Sequence, residues 1–153
     1  MNLLNVPFYL PGNRQAALGA ITIVGNINDN RKGIVMNDLI DHYLACWNET
    51  DPEARRVLIA QHWSPRPSYT DPLAEVTGRA AIDATIGEVQ QQFPGFTFSP
   101  VGPVDAHHQQ ARFSWRLGPA DAEPLIVGFD VVVLDDDGRI DTVLGFLDKV
   151  PAA

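Results

Sequence analysis

The ten-residue run from Leu125 to Leu134 constrains the fold more than any other stretch of the sequence. It predicts a strand that is apolar at both alternating positions, so other parts of the protein must cover both of its faces. Asp130 is the only charged residue in the run. A carboxylate inside so apolar a strand is costly unless it is paired or protonated. The run therefore predicts a buried strand with a special residue at its centre.

Length, charge and cysteine content restrict the class of protein. The chain has 153 residues, which fits one domain with one hydrophobic core. Its formal net charge of -8 argues against nucleic acid and against an anionic membrane surface as partners, because both attract clustered Lys and Arg. Cys46 is the only cysteine, so no internal disulfide can form. We therefore expect a cytoplasmic protein in a reducing compartment.

The first 35 residues differ in pattern from the rest of the chain. They contain a short apolar run, Ala16 to Val24, which is too short to span a membrane and lacks the basic start of a signal peptide. We predict that residues 1–35 form an N-terminal extension, either weakly structured or a strand that adds to a neighbour. Residues 36–153 are interpreted as a single domain. Met36 opens this region and is itself a candidate translation start.

Helical periodicity in residues 36–94 predicts three helices, each bounded by a capping residue or a helix breaker. The expected bounds are Asn37 or Asp38 to beyond Trp47, Asp51-Pro52 to about Trp63, and Gly78 to Pro94-Gly95. A short extended piece between the second and third helices is expected to end at Asp71.

After the third helix the hydrophobic period changes to two, which predicts four strands. The expected strands include Phe96 to Ser99, Arg112 to Leu117, Leu125 to Leu134, and Arg139 to Asp148, with a turn from Asp135 to Gly138 between the last two. This order of elements indicates an α+β fold with an antiparallel sheet and its helices on one face.

The second apolar face of this sheet predicts a partner. Three helices can cover only one face, so a second copy of the chain is the economical cover for the other. We expect a homodimer through the sheet face that buries side chains such as Trp115.

Five segments resemble the nuclear transport factor 2-like superfamily, closest to its polyketide-cyclase (SnoaL)-like proteins and its ketosteroid isomerases. The segments, all within Met36 to Lys149, are "DLIDHYLACWNETD", "YTDP" followed by "VTGRAAI", "GPVDAHH", "RFSW" and "FDVVVLDDDGRI". The resemblance implies a cone-shaped α+β fold in which a curved antiparallel sheet wraps around three N-terminal helices and an apolar pocket. It also implies chemistry without a cofactor on a small apolar molecule.

The same resemblance implies three catalytic residues. A Tyr on the first helix, an Asp at a strand end and an Asp within a long strand of the isomerases match Tyr43, Asp71 and Asp130. In that family the strand carboxyl is kept protonated by its apolar surroundings and donates a hydrogen bond. Proton abstraction beside a carbonyl needs a base, for which Asp71 is the candidate. It also needs donors at the developing enolate oxygen, for which Tyr43 and Asp130 are the candidates.

Further residues are expected to bind the substrate by lining the pocket. Trp47 lies one helical turn beyond Tyr43, and two apolar residues share one face of the last strand. The expected lining residues are Trp47, Tyr69, Phe113, Trp115, Val143 and Leu147. Position 86, which is Ile86, is not matched to any pocket residue of the family.

Each catalytic candidate has a structural alternative. Tyr43 is alternatively a core aromatic residue, and Asp71 a turn cap before a proline. Asp130 is alternatively the ion-pair partner of Arg112 or Arg116 on a neighbouring strand.

The two adjacent histidines, His107 and His108, are a further candidate. Neighbouring side chains beside a strand should point in opposite directions, which argues against a shared metal site and leaves one ring as a possible base. The turn from Asp135 to Gly138 lacks the spaced ligands of a calcium loop. No metal site is therefore expected.

Three functions remain open from the sequence. The first is a cofactor-free isomerase, cyclase or dehydratase that acts on a small apolar carbonyl compound. The second is a non-catalytic pocket for an apolar ligand, and the third is a dimerisation module with a vestigial pocket. The directions of the Asp71 and Asp130 side chains discriminate among them.

Overall fold

The computed structural model of the protein describes residues 27–151, with side chains from Asp38 onward. The elements in chain order are α1 (Ile27–Asn48), α2 (Pro52–His62), β1 (Trp63–Thr70), β2 (Glu75–Thr77), α3 (Arg79–Gln92), β3 (Thr97–His107), β4 (Gln110–Gly118), β5 (Ile126–Leu134) and β6 (Ile140–Lys149). Residues 1–26 of the predicted extension, residues 1–35, lie outside the described residues. Its last part is helical and belongs to α1.

The starts of α2 and α3 lie where the sequence predicts them. At α2 the Asp51 carboxylate accepts a hydrogen bond from the Ala54 N–H at 2.8 Å, as its predicted capping role requires. Gly78 precedes α3 with φ 94°, a conformation that suits glycine. The predicted cap at Asn37 or Asp38 is wrong, because both residues lie inside α1. Within the described region, no helix is long and apolar enough to cross a membrane.

The strands form one open six-stranded sheet in the order β2-β1-β6-β5-β4-β3. All neighbouring pairs are antiparallel except β1 and β6, which run parallel. The prediction of a wholly antiparallel sheet is therefore wrong at this one pairing. No hairpin connects these two strands, which are far apart in the chain, so the local pattern carried no information on their relative direction.

The carboxyl end of α1 is tied to the sheet and to α3 by side-chain amides. The Asn48 side chain donates to the Phe98 carbonyl at 2.8 Å and accepts from the Phe98 N–H at 2.7 Å. Gln90 of α3 donates to the Trp47 carbonyl in the last turn of α1 at 2.9 Å and to the carbonyl of Glu49, just beyond the helix, at 2.8 Å. These bonds satisfy groups that the helix leaves unpaired and fix the last turns of α1 over the sheet.

The two faces of β5 have different surroundings. Gly128, Asp130 and Val132 are buried on the inner face, which the helices cover. On the outer face, Leu144 and Phe146 of β6 remain 43% and 56% exposed. Both faces therefore carry apolar side chains, as predicted, and those of Leu144 and Phe146 on the outer face are exposed in the described chain.

Trp115 lies on the inner face, where it is 8% exposed and packs on Phe98 with ring centroids 5.2 Å apart. The expectation that a dimer buries Trp115 is therefore wrong. Alternation along β4 turns Arg112 to the opposite face, where its guanidinium pairs with Asp105 at 2.9 Å.

Candidate active site

A pocket opens between α1, the end of α3 and the inner face of the sheet. Its cavity volume is about 60 Å³. The lining residues are Tyr43, Leu44, Trp47, Tyr69, Asp71, Leu73, Val89, Gln92, Phe93, Phe98, Trp115, Leu117, Ile126, Asp130 and Leu147. Such a largely apolar space with a few polar groups is typical of a site for a small molecule.

Tyr43 of α1 and Asp130 of β5 meet at the base of this pocket. The Tyr43 hydroxyl donates to Asp130 Oδ2 at 2.6 Å, and both side chains are only 1% exposed. A short bond between a phenol and a carboxyl in a dry site is strong and sets both side chains in one orientation. The structure thus brings together two of the three catalytic candidates, which lie 87 residues apart in the chain.

The ion-pair alternative for Asp130 is wrong. Its register partner on β4 is Phe113, so the flanking residues Arg112 and Arg116 project to the other face of the sheet. There Arg116 donates to the Ser99 hydroxyl at 2.9 Å. The inner-face carboxyl is therefore paired with a phenol and not with a guanidinium.

Asp71 both caps a turn and lines the pocket. Its Oδ1 accepts the N–H groups of Leu73 and Ala74, each at 2.7 Å, and its Oδ2 accepts the Tyr69 hydroxyl at 2.8 Å. The turn-cap alternative and the pocket position are both observed. A second phenol–carboxyl pair, Tyr69–Asp71, therefore stands beside Tyr43–Asp130.

Gly145 of β6 allows the two carboxyl side chains to come together. A Cβ atom at Gly145 would lie 3.0 Å from Asp130 Oδ1 and 3.1 Å from Asp71 Cβ, closer than nine in ten real Cβ contacts. Asp130 and Asp71 thus approach the same point on β6. A glycine inside a strand is the available sequence signal for such an approach, and sequence reasoning missed it.

Burial dominates the electrostatics of the site. It raises the pKa of Asp130 to about 6; the nearby donors Trp115 and Tyr43 lower the pKa, and the charge of Asp71 raises it. Burial also raises the pKa of Tyr43 and of Tyr69, and the charge of Asp130 adds to both effects. Asp130 therefore titrates near neutral pH while both phenols remain protonated.

The predicted lining residues divide into two groups. Trp47, Tyr69, Trp115 and Leu147 do line the pocket. The other two, Phe113 and Val143, lie in the core outside the lining, and Phe113 packs edge-on against Tyr43 at 5.5 Å. Ile86, to which no role was assigned, is also buried outside the lining. The missed lining residues are Leu44, Leu73, Val89, Gln92, Phe93, Phe98, Leu117 and Ile126. The helical stripe of α3 was the signal for Val89 and Phe93.

The two adjacent histidines converge, which contradicts the expectation that their rings point apart. Their Nδ1 atoms are 3.1 Å from each other, because His108 adopts a positive φ of 54° at the β3–β4 turn. Both residues are exposed, and neither lines the pocket. Among the side chains from Asp38 to Pro151, no group of three or more possible metal ligands is found.

Comparison with known proteins agrees with this geometry. Residues 40–143 match the model of the SnoaL-like domain family. A proposed isomerase of the SnoaL-like family from Agrobacterium tumefaciens is 42% identical and superposes with a TM-score of 0.71, covering 77% of this chain and 98% of that chain. No curated protein sequence matches the chain.

Two more distant structures share the fold. A proposed polyketide cyclase from Sinorhizobium meliloti is 15% identical with a TM-score of 0.56, over 72% of this chain and 94% of that one. A nuclear transport factor 2-like protein of unknown function from Exiguobacterium is 21% identical with a TM-score of 0.58, over 72% and 98%. The expected α+β cone fold is confirmed, and the chain belongs to the SnoaL-like family of the nuclear transport factor 2-like superfamily.

Proposed function

We propose that the protein is a cofactor-free enzyme that transfers a proton beside the carbonyl group of a small apolar compound, as an isomerase, cyclase or dehydratase. The observation that carries this proposal is the pair of phenol–carboxyl contacts, Tyr43–Asp130 and Tyr69–Asp71, within one apolar pocket. The relative with 42% identity, itself a proposed isomerase, supports the same class of chemistry.

Asp71 is the proposed base. Two backbone N–H groups hold its Oδ1, which fixes the carboxylate at the pocket wall. Its Oδ2 accepts one hydrogen bond, from Tyr69, and a carboxylate oxygen has a further lone pair for a substrate proton. A base held in this way needs little rearrangement when the proton moves.

Asp130 and Tyr43 are the proposed donors to the substrate oxygen. Asp130 Oδ1 is buried and has no hydrogen-bond partner among the described residues, so a proton on this oxygen is free to be donated. An apolar ligand that displaces water from the pocket further disfavours the charged carboxylate. For both groups to donate to the substrate oxygen, the Tyr43 hydroxyl turns from Asp130 Oδ2 to that oxygen, where negative charge develops and such donors have their largest effect.

The pH dependence of the reaction tests this assignment. Because the pKa of Asp130 is about 6, the protonated donor is lost as pH rises through that value. We expect kcat/KM to fall with rising pH above about 6. The measurement is deuterium incorporation beside the carbonyl of small cyclic ketones, followed by proton NMR.

The control is Asp130→Asn, which carries no titrating group and should lack this fall. A wild-type rate that instead rises through about pH 6 would assign Asp130 as the base. A different result would be that the wild-type protein exchanges every ketone that it binds no faster than the Asp71→Asn variant does. That result would favour the alternative function, a non-catalytic binding protein for a small apolar ligand.

We further propose that two copies pair through the outer face of the sheet. Phe146 is 56% exposed there, and its ring centroid lies 6.3 Å from that of Phe129, beside the 43%-exposed Leu144. Exposed aromatic and aliphatic side chains grouped on one face are typical of a protein interface. This surface is the natural candidate for the expected homodimer.

Sedimentation velocity on the full chain at about 10 µM should show a dimer, and Phe146→Asp should shift it to a monomer, since a charge would be buried without a partner. Val57→Asp is the matched control, because Val57 is 55% exposed on α2, away from the sheet. A wild-type monomer, or dissociation caused equally by both variants, would refute pairing through this face.

A further inference from the structure

Two tryptophans in the pocket have indole N–H groups without acceptors. Trp47 and Trp115 are 5% and 8% exposed, and neither Nε1 atom has a hydrogen-bond partner among the described residues. Leaving a buried donor unpaired costs about 1–3 kcal/mol. The pocket lining therefore holds two buried donors that no described residue accepts from and that an acceptor on a bound ligand can use.

The two indoles flank the Tyr43–Asp130 pair. Trp47 lies one turn beyond Tyr43 on α1, with ring centroids 6.3 Å apart, and its N–H is near enough to lower the pKa of the phenol. The Trp115 N–H is near enough to lower the pKa of Asp130. Neither N–H reaches hydrogen-bond geometry with its neighbour. All four polar groups therefore lie around one region of the pocket, which the Tyr69–Asp71 pair also lines.

The position of Trp115 depends on a glycine in the strand that carries Asp130. A Cβ atom at Gly128 would lie 2.2 Å from Trp115 Cζ2 and 2.5 Å from Cε2, the carbon bonded to Nε1. These distances are impossible, so only glycine lets the indole lie flat on the β5 backbone. Gly128 and Trp115 are direct register partners, and Asp130 follows two residues later on the same face.

We propose that the indole N–H groups of Trp47 and Trp115 are ligand-binding donors, which together with Tyr43 and Asp130 form one site for a single oxyanion on an apolar ring, a phenolate or an enolate. The apolar walls contact the ring, and the donors surround its oxygen. This inference rests on the proposed function for its pocket, but it concerns binding and needs no turnover.

The test compares two probes that differ by one oxygen, para-fluorophenol and fluorobenzene, titrated into the full chain and followed by fluorine NMR. Wild type should bind the phenol more tightly. Trp115→Phe and Trp47→Phe, which keep an aromatic ring and remove the N–H, should each weaken phenol binding about tenfold and leave fluorobenzene nearly unchanged. Trp63→Phe is the matched control, because its Nε1 is also buried and unpartnered but lies outside the pocket lining.

A measurement without substitutions covers the case in which a variant does not fold. In isotope-labelled wild type, the indole N–H resonances of Trp47 and Trp115 should move downfield with para-fluorophenol and not with fluorobenzene, while that of Trp63 stays in place. The inference would be overturned if the variants lost affinity for both probes equally, or if the indole resonances did not shift with the phenol. It would also be overturned if wild type bound the two probes equally well. Phenol preference without ketone exchange would refute only the proposed catalysis.

Discussion

Asp71→Asn is expected to lower the rate of ketone proton exchange by about 10²–10⁴-fold, with ligand affinity almost unchanged. The amide keeps the size and planarity of the carboxylate. Its remaining oxygen can still accept the N–H groups of Leu73 and Ala74, so the turn that Asp71 caps should survive. The amide nitrogen, however, has no lone pair to receive a substrate proton. The substitution thus removes the base and leaves the pocket.

Two quantities are measured for each protein: the rate of deuterium exchange into one ketone by NMR, and the affinity for para-fluorophenol. Asp105→Asn is the control, because it neutralises an exposed carboxylate that pairs with Arg112 on the outer face. It should change neither quantity. An Asp71→Asn variant with wild-type exchange would reject Asp71 as the base and leave Asp130 as the remaining carboxyl in the pocket.

Substitutions of Asp130 should separate its chemical role from its structural cost. Asp130→Leu removes a donor to the developing oxyanion and should slow exchange by about 10²–10³-fold. Asp130→Asn retains a donor of similar size, so its loss should be smaller. The affinity for phenols, which mimic the enolate, should likewise fall more in Asp130→Leu than in Asp130→Asn.

The stability of Asp130→Leu should depend on pH in a defined direction. The pKa of Asp130 is raised from 3.8 to about 6 in the folded protein, so folding favours its protonated form. Stability from this group is therefore present at low pH and is lost as pH rises through the interval between these values. Relative to wild type, the variant should gain roughly 2 kcal/mol between about pH 4 and pH 7.

At neutral pH a second effect opposes this gain. Asp130→Leu strands the buried Tyr43 hydroxyl, which costs about 1–3 kcal/mol. Adding Tyr43→Phe removes that donor as well, and we expect the double variant to be more stable than Asp130→Leu alone. Urea unfolding of wild type and both variants across the pH range measures these differences. A stability difference that does not change with pH would show that the fold does not raise the pKa of Asp130.

Local properties of the sequence determined the order of elements and singled out one of the three catalytic candidates, Asp130. The change of period from 3.6 to two located three helices and four of the strands, because amphipathic spacing depends only on neighbouring residues. Asp130 stood out because it interrupts an apolar strand. Tyr43 and Asp71 came from family resemblance, and both do line the pocket with Asp130.

Tertiary structure alone decided what these groups contact. The register of β4 against β5 sets Phe113, and not an arginine, opposite Asp130, and it turns Trp115 inward onto Gly128. The parallel pairing of β1 with β6 carries Asp71 to Gly145, beside Asp130. These contacts join segments that are far apart in the chain, and a shift of one residue in register would reverse every face. Periodicity within one segment contains no information on that register, so the three-dimensional packing settled it.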